Sequence, residues 1–598
     1  MLKSAFALFF LVLLSVCIAH SAPRISYELR FPEPQTHYVN VQMQVSGWSG
    51  GKIVLKMPVW APGSYLVREF SRHVEQLSVT DAKGQVIGVS RAAKNAWEFD
   101  PSGSSSFSIN YSVYAYELTV RTSFVDEEHA YLNGTSIFLY AEPFKSLPCT
   151  VKVVPFPAWK AMSVALDPVS RNTPWEVVAN DFDELVDSPF EIGNHAIFFF
   201  TASGVPHEVA MFGTGNYDVE KLKKDMARIV EECTSVFGTN PCKRYLFIIH
   251  NLVSGGGGLE HLNSTTLQTN RWSYSNLSSY NGFLSLLAHE YFHLWNVKRL
   301  RPEPLGPFDY DSENYTTLLW LAEGFTAYYD DLIVRRCGFT SESEYLATLA
   351  GNMSYCANTP GSSIQPLSES SYDTWIKFYR PNENSSNSTV SYYTKGGVVG
   401  ALLDMEILYA TKGKYSLDDV FREMYRSYFI NENRTFSEQD FIRVAEKIAG
   451  VPLKAFIRNL VHGTDTLPFH QTLAKIGLSL QDQNENQMRS WTGLSTSFSN
   501  GRLTVTAVER NSPGWTGGIN VNDELIAFDD FRLSDDLSKL LSMRKPGDTV
   551  KVTLSRNGLI KALTILLERN PAVSYMLTPM EKSDESANIC YRKWLRLP

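Results

Sequence analysis

The spacing of apolar residues changes twice along this chain and divides it into three parts. Between residues 25 and 192, apolar and polar residues alternate in short runs such as Tyr38-Val39-Asn40-Val41-Gln42-Met43-Gln44-Val45. After residue 281 the spacing becomes helical, and beyond residue 478 short apolar runs return between turn signals such as Asn500-Gly501 and Asn557-Gly558. Alternation is typical of antiparallel strands, and a period of 3.6 is typical of helices. We therefore expect a multidomain α+β protein.

The predicted domain boundaries follow these changes. We assign residues 1–21 to a signal peptide, 22–192 to an N-terminal antiparallel β-domain, 193–472 to an α+β domain, 473–570 to a separate β-module and 571–598 to a C-terminal tail that no pattern interprets. Within the second domain, strands are predicted near 196–200 and 245–250, and helices over 218–237, 283–300, 316–337, 395–410, 417–428, 437–448 and 453–461. The Ser/Asn-rich stretch 382–391 is predicted to be a surface loop.

The N-terminus has the features of a secretory signal peptide. Lys3 precedes an apolar stretch over 5–18, and the small residues around Ala19 and Ser21 suit cleavage after either of them. The stretch is shorter than the ~20 residues of a spanning helix, and no later segment is apolar enough to span a bilayer. We expect an exported protein, periplasmic or secreted, with no integral membrane segment in the mature chain. The pairing of the cysteines beyond Cys17 is left open.

The charge of the chain excludes one class of partner. The formal net charge is −8, and basic runs are missing from the sequence. Such a chain has no electrostatic reason to bind nucleic acid, so peptides or small molecules are the expected partners.

The stretch His289-Glu290-Tyr291-Phe292-His293 has the clearest chemistry in the chain. Residues four apart share one face of a helix, so both imidazoles can point at one metal ion. Glu290 then lies close enough to reach a water on that metal. The spacing predicts a hydrolytic zinc site on a helix.

A zinc ion held by two histidines generally takes a third protein ligand and keeps a position for water. Glu323 lies in the apolar stretch Trp320-Leu321-Ala322-Glu323-Gly324. Burying a lone carboxylate is costly, and a metal ion would compensate for it. We predict one Zn²⁺ per chain on His289, His293 and Glu323, with a salt-bridged core glutamate as the alternative for Glu323.

Zinc would activate water for attack on a carbonyl, and Glu290 would take its proton and pass it to the leaving amine. The developing oxyanion needs a further donor, for which Tyr393 is a candidate among 29 tyrosines. Gly257 and Gly258 would let a substrate main chain lie close, and Glu260 would bind its terminal ammonium. The alternative for this glycine-rich stretch is a flexible surface turn.

Several motifs resemble one peptidase family. The stretch from His289 to Pro302 and the stretch from Trp320 to Tyr329 look very like the M61 family of zinc aminopeptidases, the glycyl aminopeptidases. The stretch from Ala61 to Phe70 resembles the N-terminal β-domain of that family, and Gly463 to Phe469 resembles its link to a PDZ domain. The resemblance implies a thermolysin-like (gluzincin) catalytic domain, zinc on the three predicted ligands and Glu290 as general base.

M61 is in turn similar to the M1 aminopeptidases, in which a Gly-x-Met-Glu-Asn strand selects a free N-terminus. The chain matches this pattern at Glu260 but has His261 in place of the asparagine. The Tyr-x-Lys-Gly motif of M1 is matched by Tyr393-Thr394-Lys395-Gly396, which favours Tyr393 over the adjacent Tyr392 as the transition-state tyrosine.

The last module resembles a PDZ domain of the kind found in bacterial proteases. Trp491-Thr492-Gly493-Leu494-Ser495 matches a carboxylate-binding loop, and Asn511 to Gly518 and Asn522 to Ile526 match the helix and turn that follow. Such a domain binds a peptide C-terminus or an extended segment as an added strand. A purely structural module packed on the peptidase is the alternative.

The leading hypothesis is a zinc-dependent aminopeptidase that removes N-terminal residues from peptides with a free N-terminus. A preference for glycine and alanine is implied by the family resemblance. One alternative is a metallo-endopeptidase with the same zinc site, and another is a PDZ peptide-binding protein with an inactive peptidase domain.

Overall fold

The computed structural model describes residues 23–101 and 103–597. The predicted signal peptide therefore lies outside the described residues. None of the helices in these two ranges has the length and apolar character that crossing a bilayer requires. The six cysteines within them are unpaired thiols.

The N-terminal domain is built on one large sheet. Its strands lie in the order Asp167–Pro168, Glu176–Ala179, Cys149–Val154, Arg24–Arg30, Tyr38–Ser46, Ser106–Tyr114, Val74–Asp81 and Val86–Ile87. The pairs are antiparallel as predicted, apart from the parallel pair Arg24–Arg30 and Cys149–Val154. In Tyr38–Ser46 the side chains of Val39, Val41 and Met43 point into the core, which is the alternation that the sequence predicts.

Smaller elements complete this domain. They are the four-stranded sheet Ala161–Ser163, Phe190–Gly193, His129–Leu132 and Phe124–Val125, the three-stranded sheet Ile53–Lys56, Ala96–Phe99 and Val89–Ala93, the helix Phe182–Val186 and the 3₁₀ turns Pro34–Thr36, Phe70–His73, Gly134–Ser136 and Glu142–Phe144.

A five-stranded sheet opens the second domain. Its order is Ala196–Ala202, Val205–Phe212, Tyr245–Leu252, Ser264–Asn270 and Gly257–Glu260, with parallel pairs in the middle. Helix Val219–Phe237, capped by Asp218, joins two of these strands as predicted. The strand Gly257–Glu260, called the edge strand below, has one side open to a peptide main chain.

The rest of this domain is helical. Its α-helices are Leu277–Phe292, Phe325–Arg336, Glu342–Asn358, Leu367–Tyr372, Ser385–Ser388, Thr394–Ala410, Leu417–Met424, Glu438–Ala449, Lys454–Leu460 and Phe469–Lys475. π-helical turns span Trp320–Gly324 and Tyr425–Asn431, and 3₁₀ turns span Glu303–Leu305, Pro360–Ser363 and Asp373–Trp375. These helices and the five-stranded sheet share one apolar core.

Three predictions for this domain need correction. The helix predicted over 283–300 begins at Leu277, where Asn276 caps it, and ends at Phe292, because the chain turns back at Val297, which has φ 107°. The helix predicted over 316–337 begins only at the π turn of Trp320. The stretch 382–391 is not simply a surface loop: Asn387 is buried, and its side chain bonds to Val508 O (2.8 Å) and Arg510 N (2.8 Å) of the C-terminal module.

The C-terminal module has its own core and a sheet in the order Leu494–Ser499, Arg502–Val508, Glu524–Phe528, Thr549–Arg556 and Leu559–Leu566. Asn500-Gly501 and Asn557-Gly558 form tight hairpin turns with positive φ at both residues, as their sequences predict. The module also contains strand Phe531–Arg532, the pair Ser490–Trp491 with Glu568–Arg569, and helices Pro513–Thr516 and Leu537–Ser542. The strand pair Leu478–Asp482 with Tyr575–Pro579 joins the start of the module to the tail, and its residues Leu478, Leu480 and Leu577 belong to the apolar core of the helical domain.

The tail contains an element that the sequence did not predict. Helix Glu585–Leu595 packs on the second domain, with Trp594 Nε1 donating to Tyr328 OH (2.7 Å) and Arg336 donating to Trp594 O. The chain end therefore belongs to the packing of the helical domain.

Candidate active site

The two predicted histidines lie at the end of helix Leu277–Phe292, called the motif helix below. His289 is in its last turn and His293 follows it directly. The Nδ1 atom of His289 lies 2.9 Å from Asp330 Oδ2, and that of His293 lies 2.8 Å from Asn296 O. Because both partners are acceptors, each Nδ1 donates to its partner, and each Nε2 is turned towards Glu323, where a metal ion could bind it.

Glu323 meets both histidines. Its Oε2 atom lies 3.2 Å from His293 Nε2 and 3.6 Å from His289 Nε2. The carboxylate projects from the π turn Trp320–Gly324, and the side chain of Asn296 holds this turn by donating to Leu321 O and Ala322 O. A π turn widens the helix and leaves carbonyl groups that such a donor can satisfy.

These three residues fit a zinc ion. Two imidazole nitrogens and one carboxylate oxygen lie within 4.8 Å of one another. Burial alone would raise the pKa of Glu323, but His293 and His289 lower it below its usual value. Such a charged donor set, with each histidine oriented through its other nitrogen, is the set that zinc takes in hydrolytic enzymes.

Glu290 points into the same cleft from the motif helix. Within the described residues its Oε2 atom is buried and has no hydrogen-bond partner. Burial raises the pKa of Glu290, although His289 and His293 oppose the rise. A methyl group on Gly258 would lie 2.4 Å from the Glu290 carboxyl carbon, so the edge strand passes directly over this carboxylate.

Glu260 lies at the end of the edge strand, only 4% exposed. A carboxylate oxygen of Glu260, one of Glu290 and a nitrogen of His293 lie within 4.8 Å of one another. Gly63 of the N-terminal domain lies against it: with φ +88°, its missing side chain would be 2.6 Å from the Glu260 oxygens. The next residue, His261, turns away and bonds to Asp187 (3.0 Å).

Tyr393 and Tyr392 have different surroundings. The ring of Tyr393 lies 6.2 Å from that of His289 and lines the cleft. Tyr392 is fully buried, with its hydroxyl 2.9 Å from Thr374 Oγ1. Of the two adjacent tyrosines, Tyr393 is therefore the one that faces the predicted metal ligands.

The cleft has a volume of about 560 Å³ and brings together the eight predicted site residues, Gly257, Gly258, Glu260, His289, Glu290, His293, Glu323 and Tyr393. Sequence reasoning missed Asp330, Asn296, Gly63 and Arg121. Asp330 could have been found, since it follows Glu323 by two helical turns and shares its face. Gly63 and Arg121 reach the cleft from another domain, and no local pattern indicates that.

Buried imidazoles and carboxylates converging in a cleft beside an open strand edge define a metallopeptidase, and comparisons with known proteins name its family. The model described as the Peptidase M61 N-terminal domain matches residues 26–194, the M61 glycyl aminopeptidase model matches 282–399, and the PDZ domain model matches 474–567. The chain belongs to the M61 peptidase family and has a C-terminal PDZ domain.

One solved structure shares this fold, and a second is similar over part of the chain. A crystal structure of an aminopeptidase N family protein from Idiomarina loihiensis is 29% identical and has a TM-score of 0.88, covering 96% of this chain and 100% of its own. An M1 zinc metallopeptidase from Deinococcus radiodurans is 14% identical with a TM-score of 0.48, covering 75% of this chain and 96% of its own. No curated protein matches the sequence.

Proposed function

We propose that this metallopeptidase is a zinc-dependent aminopeptidase that hydrolyses the first peptide bond of peptides. The observation that carries the proposal is the place of Glu260, a buried carboxylate beside Glu290 and His293 with Gly63 packed against it. A peptide whose first bond lies at Glu290 would place its ammonium group at Glu260. A chain extending further in that direction would meet the backbone at Gly63.

One zinc ion on His289, His293 and Glu323 would supply Lewis acidity, which lowers the pKa of a water and polarises the scissile carbonyl. Glu290, with its pKa raised by burial, accepts the proton of the attacking water and delivers it to the leaving amine. The Tyr393 hydroxyl donates a hydrogen bond to the developing oxyanion. The main chain of Gly257 and Gly258 pairs with the substrate backbone.

A preference for N-terminal glycine or alanine is part of this proposal. The matching family model is described as a glycyl aminopeptidase, and aromatic side chains narrow the cleft around Tyr393. The ring of Phe378 lies 5.5 Å from that of Tyr393, and Tyr379 lines the same wall. Small first side chains suit such a wall.

The mechanism is tested by Glu290→Gln. The variant should keep about one zinc per chain, yet lose glycyl-peptide hydrolysis by at least about 100-fold, because general base catalysis contributes about 10²–10⁴-fold. Glu303→Gln, at an exposed position, is the matched control. Undiminished hydrolysis by Glu290→Gln at normal zinc content would contradict the role of Glu290 as general base.

The aminopeptidase proposal is tested with N-acetylated peptides. The wild-type enzyme should cleave free peptides and leave acetylated ones intact, and Glu260→Ala should reduce this preference. An endopeptidase would cleave both classes of peptide. An inactive peptide-binding protein would cleave neither class and would contain no stoichiometric zinc.

We also propose that the PDZ domain binds a peptide C-terminus or extended segment along Leu494–Ser499, which is the outermost strand on one side of the PDZ sheet. The apolar stretch after Lys3 supports export to the periplasm or the medium. Mass spectrometry of the protein from cell fractions should find a mature N-terminus at His20 or Ala22.

A further inference from the structure

Arg121 lines the catalytic cleft from the N-terminal domain, together with Glu260, Tyr379 and Tyr393. Within residues 23–101 and 103–597, no carboxylate oxygen lies within 4.0 Å of its guanidinium group. Its Nε atom is buried and has no hydrogen-bond partner there. A partly buried cation without a partner anion is unfavourable in the free protein. Its presence in the cleft therefore indicates that the cleft binds an anion.

The backbone around Arg121 is firmly held. Val120 O lies 3.1 Å from the hydroxyl of Tyr131, which also lies 3.0 Å from Thr266 Oγ1. Thr266 pairs with Leu259 in the edge strand, next to Glu260. The Arg121 amide itself donates to Thr119 Oγ1 (3.2 Å). Arg121 therefore has a defined position relative to the edge strand along which substrate is proposed to lie.

A second arginine adds positive charge near Arg121, and the carboxylate of Glu117 lies near that arginine as well. Arg68 lies nearby: burial, and then the charge of Arg121, lower the pKa of Arg68 to about 10. Burial raises the pKa of Tyr379, and the charge of Arg121 opposes that rise. This wall is thus suited to an anion, while the carboxylate of Glu260 is suited to a cation.

We propose that Arg121 binds a carboxylate of the substrate and so determines specificity, an inference that rests on the proposed aminopeptidase function. A peptide that offers its ammonium group to Glu260 carries a carboxylate at its C-terminus when it is short, or on its side chain when it begins with Asp or Glu. The planar guanidinium group binds either carboxylate through two parallel hydrogen bonds.

The two sources are distinguished with pairs of substrates. Glycyl-alanine is compared with glycyl-alaninamide, and glutamyl-alaninamide is compared with glutaminyl-alaninamide, in the full-length zinc-loaded enzyme. The first pair tests the C-terminal carboxylate, and the second pair tests the side-chain carboxylate. In the pair whose carboxylate binds Arg121, the substrate with the carboxylate should have the higher kcat/KM. A charge-assisted bond of this kind corresponds to about 10–100-fold in kcat/KM.

Arg121→Gln should lower kcat/KM for the carboxylate member of the pair about 10–100-fold and lower that for the neutral member much less, so that the preference is lost. Arg121→Lys should retain part of the preference, because it keeps the charge but loses the paired geometry. Arg171→Gln, an exposed change in the same domain, is the matched control. Thermal unfolding of all variants checks that they are folded.

Equal rates within both pairs in the wild type would overturn the inference alone, leaving the aminopeptidase proposal intact. An equal loss for carboxylate and neutral substrates in Arg121→Gln would likewise overturn it, since that pattern indicates a purely structural residue. Hydrolysis of none of the four substrates by zinc-loaded enzyme would overturn the proposed function, and this inference with it.

Discussion

Gly324 and Gly396 touch backbone to backbone beneath the active site. A methyl group on Gly324 would lie 2.6 Å from Gly396 Cα, and one on Gly396 would lie 3.0 Å from Gly324 Cα. Gly324 directly follows Glu323, and Gly396 lies one helical turn after Tyr393. The spacing between the proposed third metal ligand and the proposed oxyanion donor is therefore set by two residues without side chains.

Gly396→Ala should separate these two segments. Overpacking of this kind costs about 1–3 kcal/mol, whereas alanine alone favours a helix by about 0.5–1 kcal/mol. We expect a lower free energy of unfolding by urea and a reduced kcat. Gly351→Ala, also within a helix but with open space around it, is the control and should be neutral or stabilising. Equal stability of both variants would contradict the contact.

Gly258→Ala should disable catalysis while leaving the metal in place. The new methyl group would lie 2.4 Å from the Glu290 carboxyl carbon, so Glu290 must move. Displacement of a reacting group by about 1 Å costs about 100-fold in rate. Zinc content and kcat are measured together, with Gly256→Ala as the control because its side chain meets open space. If both variants kept the wild-type kcat, Glu290 would not be the base.

Asp330→Ala should weaken zinc binding, because it removes the acceptor that orients His289 at 2.9 Å. Loss of such an outer partner typically lowers metal affinity about 10–100-fold. Asp330→Asn, which keeps an acceptor oxygen without the charge, should fall between Ala and wild type. Chelator competition measures the affinity, with the exposed Asp535→Asn as control. Wild-type affinity in Asp330→Ala would show that His289 needs no such partner.

The site could be predicted as far as local patterns determine it. His289 and His293 need only helical spacing, and Glu323 was indicated by its apolar surroundings. The pattern could not show that this carboxylate projects from a π turn, because that turn depends on the distant Asn296 side chain. The pattern also could not predict that the motif helix ends at Phe292, since apolar residues continue past the point where the chain turns back.

The contributions between domains were beyond sequence reasoning. Gly63 and Arg121 reach the cleft only because the N-terminal domain packs against the edge strand. The polar stretch around Asn387 resembled a surface loop, yet Asn387 is 2% exposed under the PDZ domain. The tail helix buries Cys590, Trp594 and Leu595 in the core of the helical domain, where Trp594 also bonds to Tyr328. Each case depends on a neighbour that is remote in sequence.

A buried ion cluster joins the N-terminal domain to the catalytic sheet. Glu191 Oε1 lies 2.8 Å from His129 Nδ1, and its Oε2 lies 2.9 Å from His250 Nε2. All three side chains are fully buried. Burial alone would raise the pKa of Glu191, but His129 and His250 lower it to about 2. The charged form of Glu191 therefore stabilises the folded state.

This cluster predicts how stability depends on pH. Since the folded pKa of about 2 lies below the unfolded value of about 4.3, the stabilisation is present above pH ~4.3 and is lost as pH falls towards 2. Glu191→Gln should lower the free energy of unfolding by about 3 kcal/mol at pH 7, as expected for breaking a buried pair. The difference from wild type should shrink below pH ~4. Thermal midpoints from pH 7 to pH 3 measure this, with the exposed Glu33→Gln as control. A difference that stayed constant down to pH 3 would mean that the charge of Glu191 does not stabilise the domain contact.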